Sequence, residues 1–237
     1  MIRGLVQIIF LNSLLSFSQS NNSNLEYLYP SEGLEFKYQE DWGRENYKKV
    51  IKQFKNNPLE INDIVFLGNS ITAGGKNWAE RLDYPKIKNR GISGDVTDGV
   101  FARLEEIIHY RAKAIFLLIG INDIWNNGSP NIPSTEYIGA NIVKIAQYLK
   151  MRSPKSLIYV QTVLPTQKED FIESINAVNE IIMSSENNDF KVIDLHSIFV
   201  NEDGLIYKEY STDGVHLNET GYEKWVELIK PIVHSIK

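Results

Sequence analysis

Five short apolar runs, separated by stretches of helical periodicity, constrain this chain more than any other feature of its sequence. The runs are 61–68 (INDIVFLG), a weaker 86–91 (KIKNRG), 112–120 (AKAIFLLIG), 156–164 (SLIYVQTVL) and 190–195 (FKVIDL). Between them, apolar residues recur at i, i+3, i+4 and i+7, the spacing of one helix face. Tyr47, Val50, Ile51 and Phe54 predict a helix over 42–56, and Val100, Phe101, Leu104, Ile107 and Ile108 form a second helical stripe. Ile138, Ile142, Ile145 and Leu149 mark a third helix over 134–151, and Phe171, Ile172, Ile175, Val178 and Ile182 a fourth. Asn218 caps a last helix bearing Tyr222, Trp225, Val226 and Ile229, which Pro231 is expected to bend or shorten. Strands that are apolar throughout must be buried on both faces, which requires a parallel sheet with helices above and below it. The expected fold is therefore α/β, a three-layer α/β/α sandwich around a five-stranded parallel sheet, with no internal repeat and no second domain.

The first segment reads differently. Residues 1–17 (MIRGLVQIIFLNSLLSF) carry one cation, Arg3, then an apolar run, then the polar stretch SQSNNSN, the layout of a secretory signal. Gln7, Asn12 and Ser13 interrupt a run already shorter than the ~20 residues a membrane span needs. The expected organisation is a signal peptide over 1–18, a polar linker or N-terminal extension over 19–40 and one domain over 41–237. The chain contains no cysteine, so disulfides, thiolate catalysis, Cys-ligated zinc and a lipid-modified lipoprotein cysteine are all excluded. A secreted or periplasmic protein without a stable membrane anchor is expected. With 25 Lys and Arg against 30 Asp and Glu, there is no basic excess to hold nucleic acid by counterion release.

In such sheets ligands bind beyond the carboxyl ends of the strands, near the point where strand order reverses. Gly68-Asn69-Ser70-Ile71-Thr72-Ala73-Gly74-Gly75 follows the first strand directly. Ser70 could be a helix cap or a nucleophile held above the sheet. Thr72 stands where a G-x-S-x-G elbow needs glycine, and Gly75 and Lys76 stand where a phosphate-binding loop needs Lys and Ser or Thr. Asn89-Arg90-Gly91-Ile92-Ser93-Gly94-Asp95 follows the second strand and Gly120-Ile121-Asn122-Asp123 the third. In strand order 2-1-3-4-5 these three strands are neighbours, so a hydroxyl, a glycine N–H and an asparagine amide converge. Neutral donors around a nucleophile suit acyl transfer, in which an oxyanion develops. Of the four histidines, His216 in Asp213-Gly214-Val215-His216 has a carboxylate at i−3 able to orient it and a loop able to reach the same end of the sheet. His109 is expected on the surface, His234 lies near the terminus, and His196 is the competitor, read as structural or pocket-lining.

The stretches GNSIT, NRGISGD, GIND and DGVH resemble, in order and spacing, the conserved blocks of the GDSL-type esterases, the SGNH hydrolase superfamily. The resemblance spans Gly68 to His216 and implies a flavodoxin-like SGNH hydrolase fold for the domain over 41–237. It implies Ser70 as nucleophile, His216 as general base and Asp213 as its orienting acid. It also implies an oxyanion hole from the Ser70 and Gly94 amides and the Asn122 side chain, with no metal or organic cofactor. Asn69 departs from the family's usual Asp before the serine, keeping a carbonyl acceptor and losing the charge.

The loops 124–133, 166–170 and 201–212 are rich in Asn, Ser and charge and contain Trp125, Tyr207 and Tyr210. Aromatic faces with amides suit a sugar ring better than an alkyl tail. The expected substrate is a short-chain ester, acetyl above all, on a carbohydrate. The competing readings are a lysophospholipase- or thioesterase-type acylhydrolase, and a hydrolase fold that binds glycans without turning them over. A receiver or nucleotide binder is disfavoured because Asn69-Ser70 supplies neither an acidic cluster nor a phosphate loop.

Overall fold

The computed structural model describes residues 25–125 and 133–236. The signal-like segment and most of the 124–133 loop lie outside them. In chain order the elements are α1 (Asp41–Asn56), β1 (Ile64–Gly68), α2 (Ser70–Gly74), α3 (Trp78–Arg81), β2 (Ile87–Gly91), α4 (Thr97–Ala102), α5 (Glu105–His109), β3 (Ala114–Leu118), α6 (Ile121–Trp125), α7 (Thr135–Arg152), β4 (Leu157–Gln161), α8 (Ile172–Ser184), β5 (Lys191–Ile193) and α9 (Glu219–Ser235). The strands form one sheet in the order β2-β1-β3-β4-β5, with every pairing parallel. This is the five-stranded α/β architecture that the alternating periods demand.

The sheet is buried on both sides for the reason its sequence implies. All five residues of β1 and of β3 are buried. Phe66, Phe116 and Tyr159 are register partners on adjacent strands and stack face to face, at 4.9 Å and 4.8 Å between centroids. Trp78 of α3 stacks on Phe66 at 4.4 Å and meets Trp225 of α9 edge-on at 4.7 Å. Such offset and edge contacts add about 0.5–1.5 kcal/mol each to ordinary apolar burial. Elsewhere α7 packs against both α4 and α8. Gly68 is paired with Gly91 and with Leu118, so β1, β2 and β3 end level with one another. The loops carrying Ser70, Gly94 and Asn122 therefore start from one line.

Three expectations are corrected. The stripe from Val100 to Ile108 is two helices, α4 and α5, broken at Arg103, which turns its guanidinium into the molecule. Pro231 does not shorten α9, which runs on to Ser235. The hydrogen bond it removes would have used the Glu227 carbonyl, on the exposed face, where water can replace it. Residues 25–40 do not behave as a linker. Leu28, Phe36 and Gln39 are buried, Phe36 meets Tyr47 edge-on at 5.2 Å, and the Tyr29 hydroxyl donates to Glu106 at 3.1 Å. A few irregularly spaced anchors in a polar stretch leave no periodic signal.

Candidate active site

β1 ends at Gly68, where a Cβ would stand 2.1 Å from the Leu118 carbonyl oxygen, so only glycine allows β3 this close. Asn69, itself buried, caps α2 by accepting from the Ile71 N–H at 3.0 Å. The cap needs an acceptor, and an amide provides it without burying a charge. Ser70 thereby becomes the first residue of α2, raised above the carboxyl end of the sheet.

The histidine arrives on the loop before α9. Asp213 Oδ1 accepts from the backbone N–H groups of Val215 (3.0 Å) and His216 (2.8 Å), and Oδ2 lies 2.7 Å from His216 Nδ1. The His216 carbonyl is held in turn by the Thr212 N–H at 2.9 Å and the Ser211 hydroxyl at 2.8 Å. On the other side of the ring, Nε2 lies 3.0 Å from Ser70 Oγ. Burial pushes the Asp213 carboxyl up, but the hydrogen bonds from His216 and Val215 outweigh it and bring it down to about 2. Asp213 is thus an anion throughout the neutral range, fixed against Nδ1. A proton on Nδ1 leaves Nε2 as an acceptor for the serine hydroxyl.

Gly94 sits on the loop after β2 with φ +80°, a backbone that side-chain-bearing residues rarely adopt. Asn122, on α6, donates through Nδ2 to the Asp95 carbonyl at 2.8 Å. A primary amide has two N–H donors, and the one used here fixes its plane. Ser70, Ser93, Gly94, Asn122, Asp213, Val215 and His216 line a single cavity of about 500 Å³, together with Glu40, Trp42 and Trp125. The arrangement can deprotonate a hydroxyl at Nε2 and present neutral donors to a charge developing beside it.

Beneath these loops lies a polar scaffold that apolar periodicity does not reveal. Arg103 donates to Asp95 at 2.9 Å, to the Arg90 carbonyl at 2.8 Å and to the Gly68 carbonyl at 3.0 Å. It clamps the ends of β1 and β2 to the residue that follows Gly94. Burial raises the Asp95 carboxyl to about 6 despite the Arg103 charge. Asp123 accepts from the Thr97 hydroxyl at 2.6 Å and from its N–H at 3.1 Å, and burial raises it to about 7. The one sequence signal for Arg103 is a cation inside an apolar stripe.

Other candidates fall elsewhere. The backbone N–H of His196 donates to Thr162 Oγ1 at 2.8 Å, and burial lowers its ring pKa. It is not among the residues lining the cavity. His109 is exposed beside Tyr27, and His234 lies 2.8 Å from the Leu82 carbonyl. Tyr207 and Tyr210 do not line the cavity. Tyr210 packs edge-on against Phe199, and its carbonyl accepts from the Asn218 N–H at 3.0 Å, buttressing the loop that carries Asp213 and His216. Gln167, in the 166–170 loop, supports the same turn by donating its N–H to the Gly214 carbonyl at 2.8 Å. Among the described residues no cluster of three or more His, Asp or Glu could hold a metal ion, and no helix is long and apolar enough to cross a membrane.

Comparison with known proteins adds three kinds of likeness. The family profile described as GDSL-like Lipase/Acylhydrolase matches residues 66–224. The platelet-activating factor acetylhydrolase IB subunit alpha2 of Rattus norvegicus is 28% identical over 179 residues, covering 72% of this chain and 74% of that protein. Among solved structures, a GDSL-like lipase from Bacteroides thetaiotaomicron superposes with a TM-score of 0.69 at 24% identity, covering 80% of this chain and 98% of its own. An acetyl xylan esterase superposes with a TM-score of 0.62 at 21% identity, covering 72% and 99%. Both superpositions are likenesses of fold.

Proposed function

The chain belongs to the GDSL-like lipase/acylhydrolase family and is a serine ester hydrolase, and from that premise we propose that it removes short acyl groups, acetyl above all, from the hydroxyls of a carbohydrate. Ser70 is the nucleophile, His216 the general base and Asp213 its orienting anion. The observation that carries these roles is the unbroken chain Asp213 Oδ2–His216 Nδ1 at 2.7 Å and His216 Nε2–Ser70 Oγ at 3.0 Å.

Ser70 Oγ attacks the acyl carbonyl as its proton passes to His216 Nε2. The imidazolium so formed is stabilised by Asp213, whose carboxyl stays ionised. The Ser70 and Gly94 N–H groups and the Asn122 amide receive the oxyanion. His216 then protonates the leaving alkoxide, and water repeats the sequence on the acyl-enzyme.

The cavity supports the choice of substrate. Its lining combines two indoles with two carboxylates, two serines and an amide, which suits a hydroxylated ring more than an alkyl chain. The similar proteins include an acetylhydrolase subunit and an acetyl xylan esterase, alike in the acetyl group and different in what carries it. The charged, apolar and then polar start of the chain supports action outside the cytoplasm.

The test is a panel of p-nitrophenyl esters of increasing acyl length, run beside acetylated polysaccharides with acetate release measured. Acetate is expected to be the preferred acyl group, and Ser70→Ala to lower turnover by about 10³-fold or more with the fold unchanged by circular dichroism. Full activity of Ser70→Ala would overturn the mechanism, and preference for octanoate or longer would overturn the substrate class.

A further inference from the structure

Two residues of the cavity, Glu40 and Trp42, come from outside the region that the family profile matches. They lie at the junction between the N-terminal strap (25–40) and α1, a junction tied to the loop after β2 and to α4. Gln39 donates to the Gly94 carbonyl at 3.1 Å, Asn46 to the Ser93 carbonyl at 2.8 Å, and the Tyr47 hydroxyl to the Gly99 carbonyl at 2.9 Å. A Cβ on Gly43 would stand 3.0 Å from the Gly94 oxygen, and one on Gly94 would stand 2.8 Å from the Trp42 ring. The indole therefore lies directly against Gly94, beside the donors for the oxyanion.

This indole is not a core residue, for it is 56% exposed. Its Nε1 donates to Glu40 Oε2, which fixes the ring plane and places a carboxylate at its edge. A flat apolar face next to an acceptor matches a sugar, whose C–H groups form an apolar face and whose hydroxyls donate sideways. An alkyl chain would gain nothing from the carboxylate. A quaternary ammonium would be drawn to both groups, but the Lys168 ammonium lies 3.4 Å from the Trp125 ring centroid and adds positive charge beside the same cavity.

We infer that Trp42 and Glu40 form the subsite for the alcohol portion of the ester, the indole stacking on the sugar ring and the carboxylate accepting from a free ring hydroxyl. This rests on the acetyl-ester reading above: an acetyl group fills little of a 500 Å³ cavity, so the alcohol portion occupies the rest. The junction of the strap with α1 is then a specificity element of the hydrolase, joined to the loop after β2 through Gly94.

The test compares partially acetylated xylo-oligosaccharides with ethyl acetate, which has no ring, and with acetylcholine, using the full chain and reading kcat/KM from acetate release. Trp42→Ala is expected to lower the oligosaccharide-to-ethyl acetate ratio about tenfold, because the sugar no longer buries its apolar face against an indole. The change is expected mainly in KM, and Trp42→Phe is expected to restore most of it. Glu40→Ala is expected to lower the same ratio about three- to tenfold, the value of one hydrogen bond. An unchanged ratio in Trp42→Ala, with both rates falling together, would show that the indole only holds Gly94 and would overturn the subsite. Acetylcholine preferred over the oligosaccharides in a Trp42-dependent way would overturn it in favour of a cationic alcohol. Wild-type protein that releases no acetate from the oligosaccharides yet cleaves long-chain esters would overturn the underlying reading as well, before any variant is made.

Discussion

At the scale of single residues, the groups of the proposed triad are legible as candidates because each sits in a short contiguous block whose geometry is local. Asp213 reaches His216 within one turn, and Asn69 caps the helix that begins at Ser70. The convergence of those blocks follows from strand order, which parallel strands with level ends deliver. Gln39, Glu40, Trp42 and Arg103 were not legible, because each acts on a partner that no local pattern names, most of them across a long sequence separation. The role proposed for Asp213 has a sharp consequence. With its carboxyl near 2, a depressed acid remains charged until pH falls through that value, so nothing that happens to the rate between about pH 4 and 9 arises from its titration. Asp213→Asn keeps the shape and removes the anion, and it is expected to lower kcat by about 10²–10⁴-fold across that whole range. A loss confined to one part of the range, in pH-dependent steady-state kinetics, would overturn a role for Asp213 as a permanent anion whose value does not depend on pH.

At the scale of elements, periodicity located every strand and the long helices, and it failed where a polar residue overrode it. The stripe from Val100 to Ile108 has the apolar spacing of one helix, yet it breaks at Arg103 because three buried acceptors claim that guanidinium. The break between α4 and α5 is thus part of how the loop after β2 is held. Arg103→Leu removes the clamp and leaves Asp95 buried without its cation. The expected destabilisation is about 3–5 kcal/mol at about pH 8, the usual cost of stranding one member of a buried pair. The cost is expected to shrink near pH 5, where Asp95, already raised to about 6 with the arginine present, is neutralised by a proton. Urea denaturation at the two pH values measures both, and an equal loss at each would mean that Arg103 contributes packing and backbone hydrogen bonds rather than charge neutralisation.

At the scale of the whole molecule, the sheet's apolar burial carries acidic groups into its upper layer, and their ionisation opposes folding. Asp123 is the clearest case, since among the described residues the Thr97 N–H and hydroxyl and its own backbone N–H donate to it, all uncharged, and nearby Asp98 pushes it further up. Its folded value of about 7 exceeds the ordinary carboxylate value of about 3.9. Between these values the folded state holds a proton that the unfolded state has released, so stability falls as pH rises through the window. The slope approaches about 1.4 kcal/mol per pH unit where only the folded state is protonated. Below about pH 4 both states are protonated and the contribution is fully present; above about pH 7 it is gone. Asp123→Asn keeps an acceptor for Thr97 and cannot ionise. It is expected to match the wild type only at about pH 4 and below, to exceed it increasingly as pH rises to about 8, and to flatten the stability profile between. Chemical denaturation from about pH 4 to 8 decides the matter: a profile as steep in Asp123→Asn as in the wild type would place the acid-side stabilisation in Asp95 or another group, and leave Asp123 ionised in the folded protein.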